Sequence, residues 1–298
     1  MGLWQYLRGL VPPRGEGAPG AEDDADAFVS LDGTGGKDLD RGPESSYRMV
    51  KARPRDPAER IGELLDLGMA YASSGRYDDA IHSYTQALEM DEDNALAYYN
   101  RAWVHGKKED FDSAIADYSE AIRRDRTLAK GYMNRGWAYG KKARWPEAIA
   151  DYTEAIQLDK KLVKAYVNRG WAYVKTEDYE KAIANFNEAI RQDPDYGAAY
   201  AKRGWALCEW GRAKEAMPNF NDALRLDPTD ATSLAGRGWV QFEYKRFDKA
   251  LADFNEAIKH EPNNPDFFRR RAKVHRAMQN GDRAQEDEKH AQTLKPVA

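Results

Sequence analysis

The sequence lacks most of what would commit it to a chemistry. Cys208 is the one cysteine in 298 residues, so no internal disulfide can form, which suits a reducing compartment. No apolar run approaches the roughly 20 residues that span a bilayer. The opening stretch, MGLWQYLRGLVPPRGEGAPGAEDD, has no basic n-region, long apolar segment or small-residue cleavage site. Tyr6 stands where an N-myristoylation motif needs Ser or Thr. These absences set the expectation of a cytoplasmic protein. Charge of one sign is lacking too: 32% of residues are charged, yet the net charge is only −4, with no basic excess to suggest nucleic acid. The five histidines (His82, His105, His260, His275, His290) show no Cys/His ligand spacing, so no metal site is expected. The Gly-Gly-Lys of LDGTGGKDLD follows no strand and opens no helix, which excludes a phosphate loop. No cofactor and no enzymatic activity are expected.

Residues 1–60 are rich in Gly, Pro, Asp, Glu and Ser and carry no sustained apolar period. Such a segment buries too little apolar surface to offset its ordering entropy, and a disordered tail is expected. Within it, Leu3, Trp4, Leu7, Leu10 and Val11 fall at helical spacing, and Ala27–Leu31 is a short apolar patch. Leu3–Val11 either belongs to the unstructured tail or docks on a partner, a membrane surface or the protein's own groove.

What is present, from Ile61 on, is a period. Trp103, Trp137, Trp171, Trp205 and Trp239 are each 34 residues apart, and NRGWAY occurs twice, at Asn134–Tyr139 and Asn168–Tyr173. Seven repeats start at Ile61, Ala95, Ala129, Val163, Gly197, Ala231 and Pro265. Position 20 of every repeat is Ala, from Ala80 to Ala284, and so is position 27, from Ala87 to Ala291. Position 24 is Tyr84, Tyr118, Tyr152, Phe186, Phe220 and Phe254, then Glu288; position 8 is Gly or Ala throughout. Apolar positions at i, i+4 and i+7 occur twice per repeat, which predicts two amphipathic helices whose small residues allow close approach. Asp in EDFDSA and TEDYEKA predicts caps of the second helices. Pro146 falls in a first turn, where its missing N–H is harmless, but Pro218 lies deeper and predicts a kink or a cost.

This pattern resembles the tetratricopeptide repeat family, over residues 61–298. The resemblance implies an all-α, right-handed superhelical solenoid of antiparallel helix pairs, with first helices lining a concave groove and second helices forming the back. The polar last helix, with Glu288 and Gln292 in place of apolar residues, suits a C-terminal cap. The resemblance also implies that positions 2, 5, 6, 9, 12 and 13 of each repeat face the groove. That places there Lys130 and Lys164 (position 2), Tyr99 (5), Asn100, Asn134, Asn168 and Lys202 (6), Trp103, Trp137, Trp171 and Trp205 (9), and Lys107, Lys141 and Lys175 (13). The carboxylate clamp of the family's co-chaperones is not predicted, because position 5 lacks Lys and position 9 carries Trp instead of Asn. The asparagines are similar to the asparagine ladder that holds peptide backbone in the O-linked sugar transferase's repeats, and no transferase domain follows.

Charge separates by helix. The first helices of repeats two to four (95–108, 129–142, 163–176) carry ten Lys or Arg and no Asp or Glu; the second helices (111–125, 145–159, 179–193) carry eleven acidic and four basic residues. A basic face with aromatics favours entry of an acidic ligand. The expectation is therefore a scaffold or adaptor that binds an extended acidic peptide of another protein. The alternatives are single-stranded RNA binding on the same aromatic and cationic residues, and a self-assembling scaffold, homo-oligomeric or with its N-terminal tail in the groove. The tryptophans either face the ligand or pack between first helices. Arg101, Arg135, Arg169, Arg203, Arg237 and Arg271, all at position 7, are expected to pack as structural stems with their heads in solvent.

Overall fold

The computed structural model describes residues 56–294. The expectations for the leading segment, including Leu3–Val11 and Ala27–Leu31, lie outside the described residues. Among those residues are fourteen helices in seven consecutive pairs and no strand. The chain divides between Leu158 and Asp159 into two compact units. The first holds α1 (Pro57–Ser73), α2 (Tyr77–Met90), α3 (Ala95–Lys107), α4 (Phe111–Arg124), α5 (Ala129–Lys141) and α6 (Trp145–Leu158). The second holds α7 (Val163–Lys175), α8 (Tyr179–Gln192), α9 (Gly197–Glu209), α10 (Ala213–Leu226), α11 (Ala231–Glu243), α12 (Phe247–His260), α13 (Pro265–Ala277) and α14 (Gly281–Thr293).

Helix starts coincide with the repeat starts from Ala95 on, whereas α1 begins at Pro57, four residues ahead of Ile61. The reason is local: the Asp56 carboxylate accepts from the Ala58 N–H (3.1 Å), and Pro57 occupies the first turn, where its ring presets the helical φ. The second helices start as expected at Asp110 and Asp178, whose carboxylates accept from Ser113 and Lys181 N–H. At α2 and α10 an arginine takes the cap position and pairs with an acid three residues on, Arg76–Asp79 and Arg212–Glu215. α10 runs through Pro218 unbroken. Lys214, whose carbonyl loses its ladder donor to the proline, is exposed, so water can take that bond.

Each pair closes on the same core. The Ala side chains at positions 20 and 27 are buried in every repeat, and the aromatics at position 24 are no more than 3% exposed. The aromatic lies flat against the first helix of its pair where position 8 has no side chain. A Cβ on Gly170 would sit 2.8 Å from Phe186, and one on Gly204 2.8 Å from Phe220. The last pair has no such aromatic; Glu288 pairs instead with Arg276 (2.5 Å), and α14 buries only Ala284, Asp287 and Ala291.

The turn inside each pair holds one residue in the left-handed region: Gly75, Glu109, Ala143, Glu177, Gly211, Lys245 and Gln279. It is followed by a bond back across the turn, such as Arg144 N–H to Tyr139 O (2.9 Å). Only two of the seven are glycine, so five side chains bear the steric cost of positive φ. Ala143 (φ 55°) is exposed and has nothing to lose but its methyl group. Ala143→Gly is expected to raise stability by about 1 kcal/mol, read as a higher urea midpoint at unchanged slope.

Candidate functional site

The position-7 arginines do not hold their heads in solvent, contrary to the expectation. Arg101 donates from Nε and Nη2 to Asp117 (2.7 and 2.8 Å) and from Nη1 to Thr85 Oγ1 (2.9 Å). Arg135 does the same with Asp151 (2.8 and 2.8 Å) and Ser119 (3.1 Å). In the second unit Arg237 grips Asp253 (3.0 and 2.7 Å), and Arg271 grips Asp287 (2.9 and 2.6 Å) while reaching Asn255 (2.7 Å). Arg169 and Arg203 donate instead to the neutral oxygens of Asn185 (2.9 Å) and Asn219 (2.5 Å). Each arginine thus ties its helix to the second helix 16 residues on, and Arg101, Arg135, Arg203 and Arg271 also reach the one 16 residues back. The signal was available in the sequence: an Asp or Asn stands 16 residues after every one of these arginines. Bonding to the carboxylates raises the pKa of Arg101 and Arg135; burial beside a neutral amide lowers that of Arg169 and Arg203.

Two of the histidines share a repeat phase. His105 and His275 sit at position 11, beside the Arg–Asp pair of their own repeats, with Nε2 3.8 Å from Asp117 and 4.0 Å from Asp287 respectively. Burial favours the neutral ring in both and holds their pKa below the ordinary 6.5, although the neighbouring aspartates pull the other way. The unfolded chain therefore takes up protons first. Stability from these two rings is present above pH 6.5 and is lost as pH falls below it. In urea titrations across that range, His105→Gln/His275→Gln is expected to show a shallower loss than the natural sequence.

The expected groove residues divide between the two units. In the first, Trp103 and Trp137 are both half-buried. Trp137 packs edge-on against Phe111 (5.6 Å between centroids) and over Gly106, where a Cβ would come within 3.1 Å of the indole. Lys107 lies 4.9 Å from the Trp103 ring and Lys141 5.8 Å from the Trp137 ring, each on its own helix one turn along. Lys130 is half-buried at the start of α5. Tyr99 and Asn100 depart from the expectation. Tyr99 is fully buried, edge-on to Tyr118 (5.6 Å), and Asn100 is 2% exposed. Position 5 is a core phase in other repeats too, where Met133, Val167, Ala201 and Ala235 are buried, and Tyr99 fills it against Tyr118. Asn134 remains half-buried, but its Nδ2 donates to the Tyr99 hydroxyl (2.9 Å). The asparagines therefore do not form three equivalent amides.

In the second unit, Lys164 and Asn168 are half-buried on α7. Lys175 and Lys202 both lie 5.2 Å from the Trp171 ring. Trp205 packs edge-on against Phe220 (5.7 Å), and its Nε1–H donates to Thr232 O (3.4 Å). Arg270 stands between Trp205 (4.6 Å) and Trp239 (5.0 Å), and Lys273 lies 5.3 Å from Trp239. Arg270 and Lys273 were not expected. Arg270 holds position 6, the phase of Asn100, Asn134, Asn168 and Lys202, and that phase was the signal that could have found it. The tryptophans are thus packing groups that also carry the cations of the first helices. Removing the indole in Trp137→Ala is expected to cost about 3 kcal/mol in denaturant unfolding, with Phe111 and Gly106 losing their cover.

Among the described residues no helix is long and apolar enough to cross a membrane. Residues 65–129, 129–162, 163–196, 197–230 and 231–264 match family models described as tetratricopeptide repeat. A segment of 53 residues is 42% identical to serine/threonine-protein phosphatase 5 of Solanum lycopersicum, covering 18% of this chain; the match spans only 10% of that relative's length. Among solved structures, a tetratricopeptide repeat protein from Parabacteroides merdae aligns over 79% of this chain and 93% of its own (TM-score 0.69, 19% identity). MamA aligns over 58% and 95% (TM-score 0.53, 25% identity). A chain of the APC/C hetero-tetramer Cut9–Hcn1 aligns over 73% and 43% (TM-score 0.64, 18% identity).

Proposed function

The chain belongs to the tetratricopeptide repeat family, a scaffold fold typical of protein–protein interaction, and from that premise we propose that its first helices bind an extended acidic segment of another protein. One observation carries this reading. Position-13 lysines stack over position-9 tryptophans one turn away in three successive repeats, on helices that hold no Asp or Glu. A lysine held against an indole keeps its charge while giving up side-chain freedom, so less entropy remains to be lost when a carboxylate arrives. The exposed part of each ring then offers apolar contact to the residue beside that carboxylate. Within residues 56–158 the face comprises Trp103, Lys107, Lys130, Trp137 and Lys141. Within residues 159–294 it comprises Lys164, Asn168, Trp171, Lys175, Lys202 and Trp205, to which Arg270 and Lys273 add charge. Tyr99 and Asn100 act from behind it as core.

No enzymatic step is assigned to this face: arginine, lysine and tryptophan here meet charge and surface, and no general base or nucleophile is placed among them. The test is a titration of the full chain with a labelled Glu/Leu-rich peptide, its Lys/Leu-rich counterpart and an oligouridine. The acidic peptide is expected to bind more tightly than the basic one and to weaken as salt rises. Lys107→Glu/Lys141→Glu is expected to weaken it by about tenfold, roughly 1.4 kcal/mol. Equal binding of the two peptides, or a variant with unchanged affinity, overturns the proposal. Tighter binding of the oligouridine replaces it with the RNA reading.

A further inference from the structure

Four of the six position-7 arginines are neutralised by an aspartate, and Arg203 is not. Its Nε donates to Asn219 Oδ1 (2.5 Å) and its Nη1 to Asn187 Oδ1 (2.7 Å), both neutral acceptors. The Tyr200 ring lies 5.6 Å from its guanidinium carbon. Asn219 is itself fixed, its Nδ2 donating to Glu215 O (2.7 Å), so it cannot turn away from the arginine. Acids on the two flanking second helices pair with other arginines: Glu215 with Arg212 (2.5 Å), Glu188 with Arg191 (2.5 Å), and Asp222 with Arg225 (4.0 Å). Burial lowers the pKa of Arg203, against the opposing pull of Tyr200 and Asp222.

Half-burying a guanidinium without a counter-charge is costly, and the repeats of Arg101, Arg135, Arg237 and Arg271 avoid that cost with a carboxylate in place of the amide. Here the amide stays, and one edge of a planar donor is left held in place by two asparagines and a tyrosine. We propose that Arg203, with Asn187, Asn219 and Tyr200, forms an oxyanion site where it meets α8 and α10, taking a phosphate or carboxylate group against Nη2. The oxyanion supplies the charge that Asp117, Asp151, Asp253 and Asp287 supply within their own repeats. The site is separate from the tryptophan face: positions 7 and 9 are about 200° apart around a helix, and Arg203 turns toward the second helices.

The sources of such an oxyanion are distinguished by probe. Full-length protein is titrated calorimetrically with sodium phosphate and, separately, with sodium acetate, in chloride buffer of constant ionic strength. Binding of phosphate alone points to a phosphate source, free or carried on a side chain; binding of both extends the site to carboxylates. Asn219→Asp places the missing carboxylate against Arg203, as Asp253 does against Arg237, and is expected to fold and to weaken anion binding by at least about tenfold. Arg203→Gln removes the charge and is expected to abolish the same binding. Absence of binding by both probes, or binding that persists unchanged in Asn219→Asp and in Arg203→Gln, overturns the proposal. Neither variant alters Trp103, Lys107, Trp137 or Lys141, so peptide binding on the first helices stands or falls independently.

Discussion

The fold depends on how closely two helices can lie. In each of the first six pairs an aromatic at position 24 presses on the first helix where position 8 is Gly or Ala, and alanines at positions 20 and 27 let the backbones meet around it. A Cβ at Gly68, Gly136, Gly170 or Gly204 would fall within 3.0 Å of that ring, so the small residue and the large one are a single device. Interiors pack at crystal-like density, so a side chain larger than alanine has no room at such a point. Everything carried on the first helices, including the tryptophan phase, inherits its position from this contact. The last pair shows the converse: without an aromatic, α14 docks through two alanines and an aspartate.

Apolar packing alone would let successive pairs slide, because alanine and aromatic surfaces have little directional preference. The arginines at position 7 add direction. A planar fork that donates to one second helix and, through its remaining nitrogen, to the preceding one fixes both angle and register. Partial burial makes these bonds stronger than surface ion pairs such as Lys142–Asp112 (2.5 Å), which spans neighbouring pairs at the surface and contributes little. Where aspartate gives way to asparagine, geometry survives and charge balance does not. That distinction allows the same framework position to be structural in most repeats and receptive to an anion at Arg203.

The first helices combine packing and recognition in one residue type. An indole half-buried between pairs is rigid, and a lysine or arginine resting on its face is rigid in turn, each such contact contributing about 0.5–1 kcal/mol. The C-terminal unit carries this furthest, with Arg270 between two indoles and two lysines over Trp171. A surface of pre-positioned cations with few acidic neighbours attracts acidic chain at long range and holds it at short range, the behaviour proposed for the acidic peptide.

By itself the sequence determined the all-α class, the seven helix pairs, nearly every helix start and the two-alanine-plus-aromatic core. These follow from local periodicity, and a 34-residue period repeats the same local problem often enough to leave one solution. It also determined that cations and indoles alternate along the first helices. Only the tertiary structure decided which of them are reachable. Tyr99 and Asn100, at phases expected to face the groove, are both buried: position 5 is core in most repeats, as Met133, Val167, Ala201 and Ala235 are, and Tyr99 lies edge-on to Tyr118 of the second helix while its hydroxyl takes the Asn134 amide of the next pair. The arginine partners and the Arg270 sandwich likewise needed the fold, since they join residues 16, 31 and 65 positions apart whose meeting depends on how one pair stacks on the next. Helical period specifies the face a residue takes on its own helix; the neighbouring helix decides whether that face meets solvent, a charge or the core.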